Sequence, residues 1–576
     1  MERAAASSTG LRFAIVADGL AVPGWAARCL GQLERSGLAS LALVLVLPPA
    51  VPPPRPEGRD WLLEKYARWA RLRSPSLRPV GNLSLPAAAA VIRCSPDIRS
   101  DGSLLDASNV DMVRRSGLDF ILHFSRRILR GAICDAARHG LWTFSHSEDE
   151  RHGRFPGFAE IVRGDAVSSV ALQRLAADGS TGDFLRGFLR TRRSYRDNVE
   201  ALRTASAGWC VQLCRRISLG QQPGAPASAV PDRGRAAAPT PHRMIRYVAR
   251  RAANAGLDIW RTLFFLDMWN VGLVASPLRH VVATGRAEPV SWLRRPGGLH
   301  FFADPFAVEI ERKLHLLFEE FDHAKGKGWI SGAIVPDDLD IAAQPIFAAP
   351  CHMSYPFLLA AEGKLFCVPE TSEAGVVVLL EARAFPNVWK EPVIIIEGFA
   401  ALDSTIFVHE GKWWLFCTNA DASPEGELHA WYSEELQGPW RPHPLNPLCC
   451  DVRSARPAGP PFVLDGLLMR PGQDCSRTYG GAISIMRIDT LTPTDFRETR
   501  LGAILPNDSG LYPDGLHTLV GVGDMTVIDG KRRMFSPIAL PLKLLGRLRK
   551  IRRLARAKGS RERFVRDFAL RARPAE

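Results

Sequence analysis

The chain has 576 residues, 46% apolar and 23% charged, with a mean hydropathy of -0.05, which excludes a single hydrophobic core and a largely disordered or collagen-like polymer. The net charge of +14 is localised: residues 541–576 carry 13 Lys and Arg against Glu562, Asp567 and Glu576, or 13 - 3 = +10. The apolar run Leu41 to Val51 is broken by prolines and falls short of the roughly 18 to 20 residues of a spanning helix, and Met1 to Gly10 lacks the apolar core of a secretory signal. No membrane span is expected, and a cytoplasmic location is, with peripheral attachment at an inner membrane left open.

From Leu11 to Arg216, short apolar runs alternate with helical ones: Leu11 to Ala17, Trp25 to Arg35, Leu38 to Leu47, Asp111 to Gly117, Leu118 to His123. This alternation predicts an α/β domain with parallel strands over 11–216. Gln, Pro, Gly, Ala, Ser and Arg without periodicity predict a flexible linker over 217–243, followed by a connecting helix over 244–266. The eleven cysteines form no C-x-x-C pair, so neither a disulfide framework nor a structural zinc is expected. No metal site is expected elsewhere.

An internal repeat occupies 267–540. Phe306, Phe357, Phe407 and Phe462 lie 51, 50 and 55 residues apart, and each precedes an acidic turn and a second apolar run. A weaker fifth copy reads Asp524 to Ile528, a turn at Asp529-Gly530, and Lys531 to Phe535. Strand, tight turn, strand, repeated at this length, predicts the blades of a five-bladed propeller. Most of the nine tryptophans between Trp260 and Trp440 are expected to pack blade against blade.

The segment Leu118-Asp-Phe-Ile-Leu122, Gly140-Leu-Trp-Thr-Phe-Ser-His146, Pro156-Gly157, Gly164-Asp165 and Ser180-Thr-Gly-Asp183 resembles the formyltransferase fold of methionyl-tRNA, glycinamide ribonucleotide and sugar-nucleotide formyltransferases. The fold class is therefore multidomain: a formyltransferase-like, Rossmann-type α/β domain followed by an all-β propeller. The resemblance implies Asn, His and Asp as the groups that orient the formyl donor and relay protons. Aligned on Gly140, these fall on Thr143, Ser145 and Ser180. A hydroxyl cannot hold a proton at neutral pH as imidazole does, so a degenerate site is expected. His146, one residue away, is the candidate substitute base, with Asp178 or Asp183 as its carboxylate. Formyltetrahydrofolate is implied as cofactor only if the site works. Arg151 and His152 stand in the loop where the family grips substrate, and equally suit a solvated charge run. There is no G-x-G-x-x-G after the first strand, so dinucleotide binding is not supported.

Phe302-Ala-Asp-Pro-Phe306, Tyr355-Pro-Phe357, Pro369-Glu-Thr371, Leu402-Asp-Ser-Thr405, Arg456-Pro-Ala-Gly459, Arg470-Pro-Gly-Gln-Asp-Cys475 and Gly515-Leu-His-Thr518 resemble the N-terminal propeller of glucosamine inositolphosphorylceramide transferase. More distantly they resemble the arabinanase and β-xylosidase type of propeller glycosidase. Blade-opening residues converge on a propeller's axis, and glycosidic chemistry needs one ionised and one protonated carboxyl. The resemblance implies Asp304 as base. Asp403 holds the equivalent place in blade three, and Glu370 is the best match for the acid, because Tyr355 opens blade two. Arg456, Arg470, Gln473, Asp474 and His517 are candidate substrate-binding groups. The structural alternative has Asp304, Asp403 and Asp474 capping turns or pairing with Arg456 and Arg470.

These readings predict a carbohydrate-active protein of cell-surface polysaccharide or glycolipid synthesis, a transferase in preference to a hydrolase, taking a saccharide, nucleotide sugar or lipid-linked glycan. An active sugar-nucleotide formyltransferase and a non-catalytic scaffold are the rivals. The basic tail over 541–576 sets Leu542, Leu544, Leu545, Leu548, Ile551 and Leu554 among Lys543, Arg547, Arg549, Lys550, Arg552, Arg553 and Arg556. It predicts one apolar helical face and an opposite basic face suited to an anionic membrane surface or to docking on the protein. With Phe564 and Phe568 as its stacking groups, the tail is a poor nucleic-acid ligand, and no nucleic-acid partner is expected.

Overall fold

A computed structural model describes residues 10–48, 61–82, 86–87, 89–99, 102–146, 155–221 and 241–557. It divides into two compact units, Met1–Ala252 and Ala253–Glu576.

The first unit is built on a seven-stranded sheet in the order Thr181–Arg190, Val167–Leu175, Leu141–Ser145, Phe120–His123, Leu11–Ala17, Ala39–Val46, Ala90–Arg93. The last five strands of that order are mutually parallel, and Val167–Leu175 runs antiparallel to both of its neighbours. Continuous apolar runs suit the central strands because both sheet faces are covered: Ala14, Ile15, Val16, Ile121 and Leu122 have no exposed surface. The helices Ala107–Arg115 and Tyr195–Ser206 start at Asp106 and Ser194, whose side chains accept from the amides of Asn109 and Asp197. The linker expected over 217–243 lies mostly outside the described residues, as do Arg151, His152 and the tail beyond residue 557. The connecting helix is Pro241–Phe264. It stops at Phe265 because that residue starts a strand paired to Phe535.

The second unit contains five antiparallel sheets of four or five strands, in sequence order, as five propeller blades. In blades one to four the inner hairpins close at Ile310–Lys313, Ala361–Lys364, His409–Lys412 and Leu464–Leu467. The two residues inside each turn have positive φ, for example Glu362 at 52° and Gly363 at 69°. That is the turn whose twist matches paired strands, and it explains the acidic-Gly pattern.

Two expectations from the repeat are corrected. Measured from these turns, Phe306 and Phe357 are equivalent, whereas Phe407 and Phe462 lie two residues nearer the turn; the regular phenylalanine spacing only approximates the true register. Asp529-Gly530 is not a turn. It lies inside one continuous strand, Met525–Phe535, and the hairpin is at Val522–Met525. Gly530 is needed there for closeness, since a Cβ would stand 2.3 Å from the Trp292 ring. This strand pairs along its whole length with Phe265–Val274. The fifth blade is thus made from both ends of the propeller sequence.

Candidate functional site

In blades one to three the inner strand is irregular at the same place, between Ala303 and Phe306, Ser354 and Phe357, and Leu402 and Thr405. The residue at each irregularity has positive φ: Asp304 at 50°, Tyr355 at 43° and Asp403 at 52°. Non-glycine residues held there carry strain of about 1 to 3 kcal/mol each, and such bulges re-aim a side chain. Three repeats of one strained device direct these side chains into a common buried network.

Asp304 accepts from the Tyr355 amide at 3.3 Å and the Thr518 hydroxyl at 3.2 Å, and faces His517 Nε2 at 3.4 Å. The other ring nitrogen of His517 lies 2.5 Å from Asp529, whose Oδ1 also accepts from the amides of His517 and Thr518. The imidazole is stacked on Trp269 at 3.9 Å. On the other side, Asp403 receives Arg456 Nε at 2.5 Å, Arg456 Nη2 at 3.1 Å and Gln473 Nε2 at 2.7 Å. Arg456 Nη2 is 3.9 Å from Glu370, which accepts from Ser372 Oγ at 2.8 Å. Tyr355 ties the halves together: its hydroxyl shares a bond with Thr405 and accepts from the Gly459 amide at 2.8 Å.

Burial sets the protonation pattern. It pushes the Asp304 carboxyl up to about 6, opposed by His517 and reinforced by the charges of Asp403 and Asp529. Burial likewise pushes Glu370 up to about 8, reinforced by Asp403 and opposed by Arg456. Glu319 is raised well above the carboxylate range by burial, with Asp304, Glu370 and Asp403 adding to it. Burial works against charge on His517, yet Asp529 and Asp304 overcome it and raise its pKa; Asp529 is lowered by His517 and by the backbone amides it accepts from. Burial thus favours the protonated form of Glu370 more strongly than that of Asp304, while Asp529 and Asp304 favour the charged form of His517. Asp304, His517 and Asp529 each offer one atom within 4.8 Å of the others, a possible cation set. As arranged, the two ring nitrogens of His517 face Asp304 and Asp529, so these three residues are the ones that would hold a cation.

Of the residues singled out in the sequence, Asp304, Glu370, Asp403, Arg456, Gln473 and His517 are brought together. Arg470 and Asp474 are not. Arg470 is bound by both oxygens of Glu498 at 2.7 Å and donates to the Ser454 carbonyl. Asp474 accepts from the Ser476 amide and pairs with Arg500, so Gln473 and Asp474, adjacent on a strand, face opposite ways. Sequence reasoning missed Glu319, Asp529 and Tyr479. Tyr479 is partly exposed and lies over the network, with the Arg456 guanidinium 5.0 Å from its ring centre and His517 edge-on at 5.3 Å.

In the first unit, the aligned hydroxyls do not converge. Thr143 and Ser145 belong to Leu141–Ser145, with Ser145 at its carboxyl end, opposite Ala171. Ser180 belongs to the turn beyond Leu175, beside the other end of that strand, where its amide donates to Asp178. His146 is buried, 3.3 Å from the Ser206 hydroxyl and edge-on to Trp25. Of the two proposed carboxylates, Asp183 binds Gln173 and Arg186, and Asp178 binds Ser180. His123, which the motif did not flag, stands 3.4 Å from Thr143 Oγ1, and burial pushes its imidazole down to about 4, leaving it neutral.

Residues 268–509 match the family model described as glucosamine inositolphosphorylceramide transferase 1, N-terminal. Glucosamine inositolphosphorylceramide transferase 1 of Arabidopsis thaliana is 36% identical over 210 residues, 35% of this chain and 27% of that protein. The chain spans less than a third of the length of the curated relatives it matches. Among solved structures, a thermostable family-43 glycoside hydrolase is 18% identical with a TM-score of 0.29, covering 37% of this chain and 78% of its own. Glycinamide ribonucleotide transformylase 1 from Symbiobacterium toebii is 14% identical with a TM-score of 0.26, covering 37% and 89%. The propeller segment is thus similar in sequence to the N-terminal part of the glucosamine inositolphosphorylceramide transferases.

Proposed function

We propose that this protein acts on carbohydrate in the synthesis of a glycolipid or cell-surface polysaccharide, and that its propeller binds a saccharide against Tyr479 and the acids beneath it. The observation that carries this reading is the convergence of Asp304, Asp403, Glu370, Arg456 and His517 in one buried network, where burial raises both Asp304 and Glu370, and Glu370 further. Glycosyl chemistry requires such a pair, one carboxylate to assist the incoming group and one acid to protonate the departing one. Arg456 and Gln473 hold Asp403 in place, and its charge lifts both pKa values. Transfer to an acceptor, in preference to hydrolysis, is supported by the sequence similarity to a glycolipid transferase. The full chain would be screened by calorimetry and product analysis against nucleotide sugars, oligosaccharides and lipid-linked glycans. Binding of one class that is lost in Asp304→Asn supports the reading; no binding across all three classes rejects it.

The α/β unit is, in this proposal, a formyltransferase-like domain that does not transfer formyl groups. Thr143 is engaged by His123, Ser180 lies beside the opposite end of the strand from Ser145, and Asp178 and Asp183 are bonded to Ser180 and to Gln173 and Arg186. Incubation with formyltetrahydrofolate and amino-sugar nucleotides should give no formylated product. Robust transfer that disappears in His146→Ala would establish the rival reading of a working N-formyltransferase.

A further inference from the structure

We propose that the C-terminal helix, Ala539–Ala557, and the aromatic cluster beside it dock the propeller onto an anionic lipid bilayer. The helix contains no acidic residue, and its contacts fix which side faces the protein. Ala539 is buried and Leu542 packs with Leu266, Trp269 and Phe301. Gly546 lies against Gly326, where a Cβ would come within 2.8 Å of it. Lys543 donates to the carbonyls of Thr262 at 2.8 Å and Phe265 at 2.6 Å, and Arg549 donates to that of Ala324.

The consequence is opposite to what docking for its own stability would produce. Leu544, Leu545, Leu548 and Ile551 point outward, between 46% and 63% exposed, with exposed Arg547 and Arg552 among them. Beside them Trp260 and Phe535 are 50% and 58% exposed and gather on Phe264, with Trp260 to Phe264 at 4.4 Å. An apolar stripe flanked by cations, next to exposed aromatics, has the chemistry of a surface that lies in a headgroup layer: the leucines enter the acyl boundary and the guanidinium groups stay with anionic phosphates. Charge complementarity decides for a lipid surface over a second copy of this chain, which would bring like charges together. Among the described residues no helix is long and apolar enough to cross a membrane.

The helix touches the turn after Asp322, and Asp322 pairs with His300, where the inner strand of blade one begins. Asp304 sits near that same end. Resting on the saccharide reading above, a glycan carried by a lipid would meet the propeller from the side on which the acids lie.

The test is flotation of the full chain with vesicles of phosphatidylcholine alone and of phosphatidylcholine with about one-third phosphatidylglycerol. Recovery with the anionic vesicles is expected, with affinity falling about tenfold or more in Leu544→Gln/Leu548→Gln/Ile551→Gln and in Arg547→Gln/Arg552→Gln. Both variants change exposed positions, and circular dichroism checks that they fold. No recovery with anionic vesicles, equal recovery with neutral ones, or an apolar variant that floats like the parent overturns the proposal. So does a lipid-free dimer that the apolar variant dissociates. The vesicles carry no glycan, so a failure of saccharide binding leaves this result standing.

Discussion

Arg456 and Asp403 are joined by two hydrogen bonds, of 2.5 and 3.1 Å, across the boundary between blades three and four, and both side chains are almost entirely buried. Such a pair positions without being a large net source of stability, but breaking it strands a charge. Asp403→Ala and Arg456→Ala should each lower stability by about 3 to 5 kcal/mol. Denaturant titration of the singles and the double gives the check, and a double variant less damaged than the sum of the singles is the expected outcome.

The pH dependence of stability follows from Asp304, Glu370 and His517, with Glu319 acting in the same direction. Asp304 at about 6 and Glu370 at about 8 lie above their unfolded values, so each loses stability as pH rises from the unfolded to the folded pKa. The raised His517 contributes fully below its unfolded value and loses that contribution as pH climbs through its folded value. The Tm should fall between about pH 4 and about pH 8. Glu370→Gln should flatten the alkaline part of that fall, gaining on the order of 1 kcal/mol or more over the parent at the upper end relative to the lower. Thermal melts of both proteins across this range would show it.

Tyr479 is partly exposed beside the network, with Arg456 over one part of its ring, and a sugar's C–H face can stack on such a ring. Tyr479→Ala should weaken saccharide binding about tenfold or more with a small change in Tm, and Tyr479→Phe should keep most of the affinity. Calorimetric titration with the best saccharide from the screen separates the two. Equal loss in both variants would mean that the hydroxyl is the working group.

Two glycines separate close approach from turn geometry. At Gly459, φ is 131° and a Cβ would stand 2.1 Å from the Leu519 carbonyl oxygen, on the seam between blades four and five. At Gly363, φ is 69° with open space around the Cβ position. Gly363→Ala should cost about 1 kcal/mol, and Gly459→Ala several times more, because backbone must move. Comparing the two denaturation midpoints tests the ordering.

The repeat made the blades legible because each hairpin turn needs residues that tolerate positive φ, and Glu362-Gly363, Glu410-Gly411 and Asp465-Gly466 satisfy that locally. The fifth blade was misread for the same reason: Asp529-Gly530 has turn chemistry, but Gly530 is there to admit Trp292, and nothing local distinguishes the two uses. Asp304 and Asp403 were findable from blade equivalence. Glu319 and Asp529 sit on second strands, whose inward residues no opening motif marks. Arg470 shows the converse limit, since its partner Glu498 lies on the next-but-one strand of its own blade and only tertiary structure reveals that it is already taken.

The closing blade also constrains how the chain is made. Strand Phe265–Val274 leaves the ribosome long before its partner Met525–Phe535, and until that partner emerges it presents an unpaired, largely apolar edge. Four blades can assemble in order during synthesis, but the ring stays open to the last, and the loop that must finally close is nearly as long as the propeller itself. A nascent chain stalled just short of Met525 would hold these acids on an unclosed ring, with His517 lacking its Asp529 partner and the edge of Phe265–Val274 unpaired.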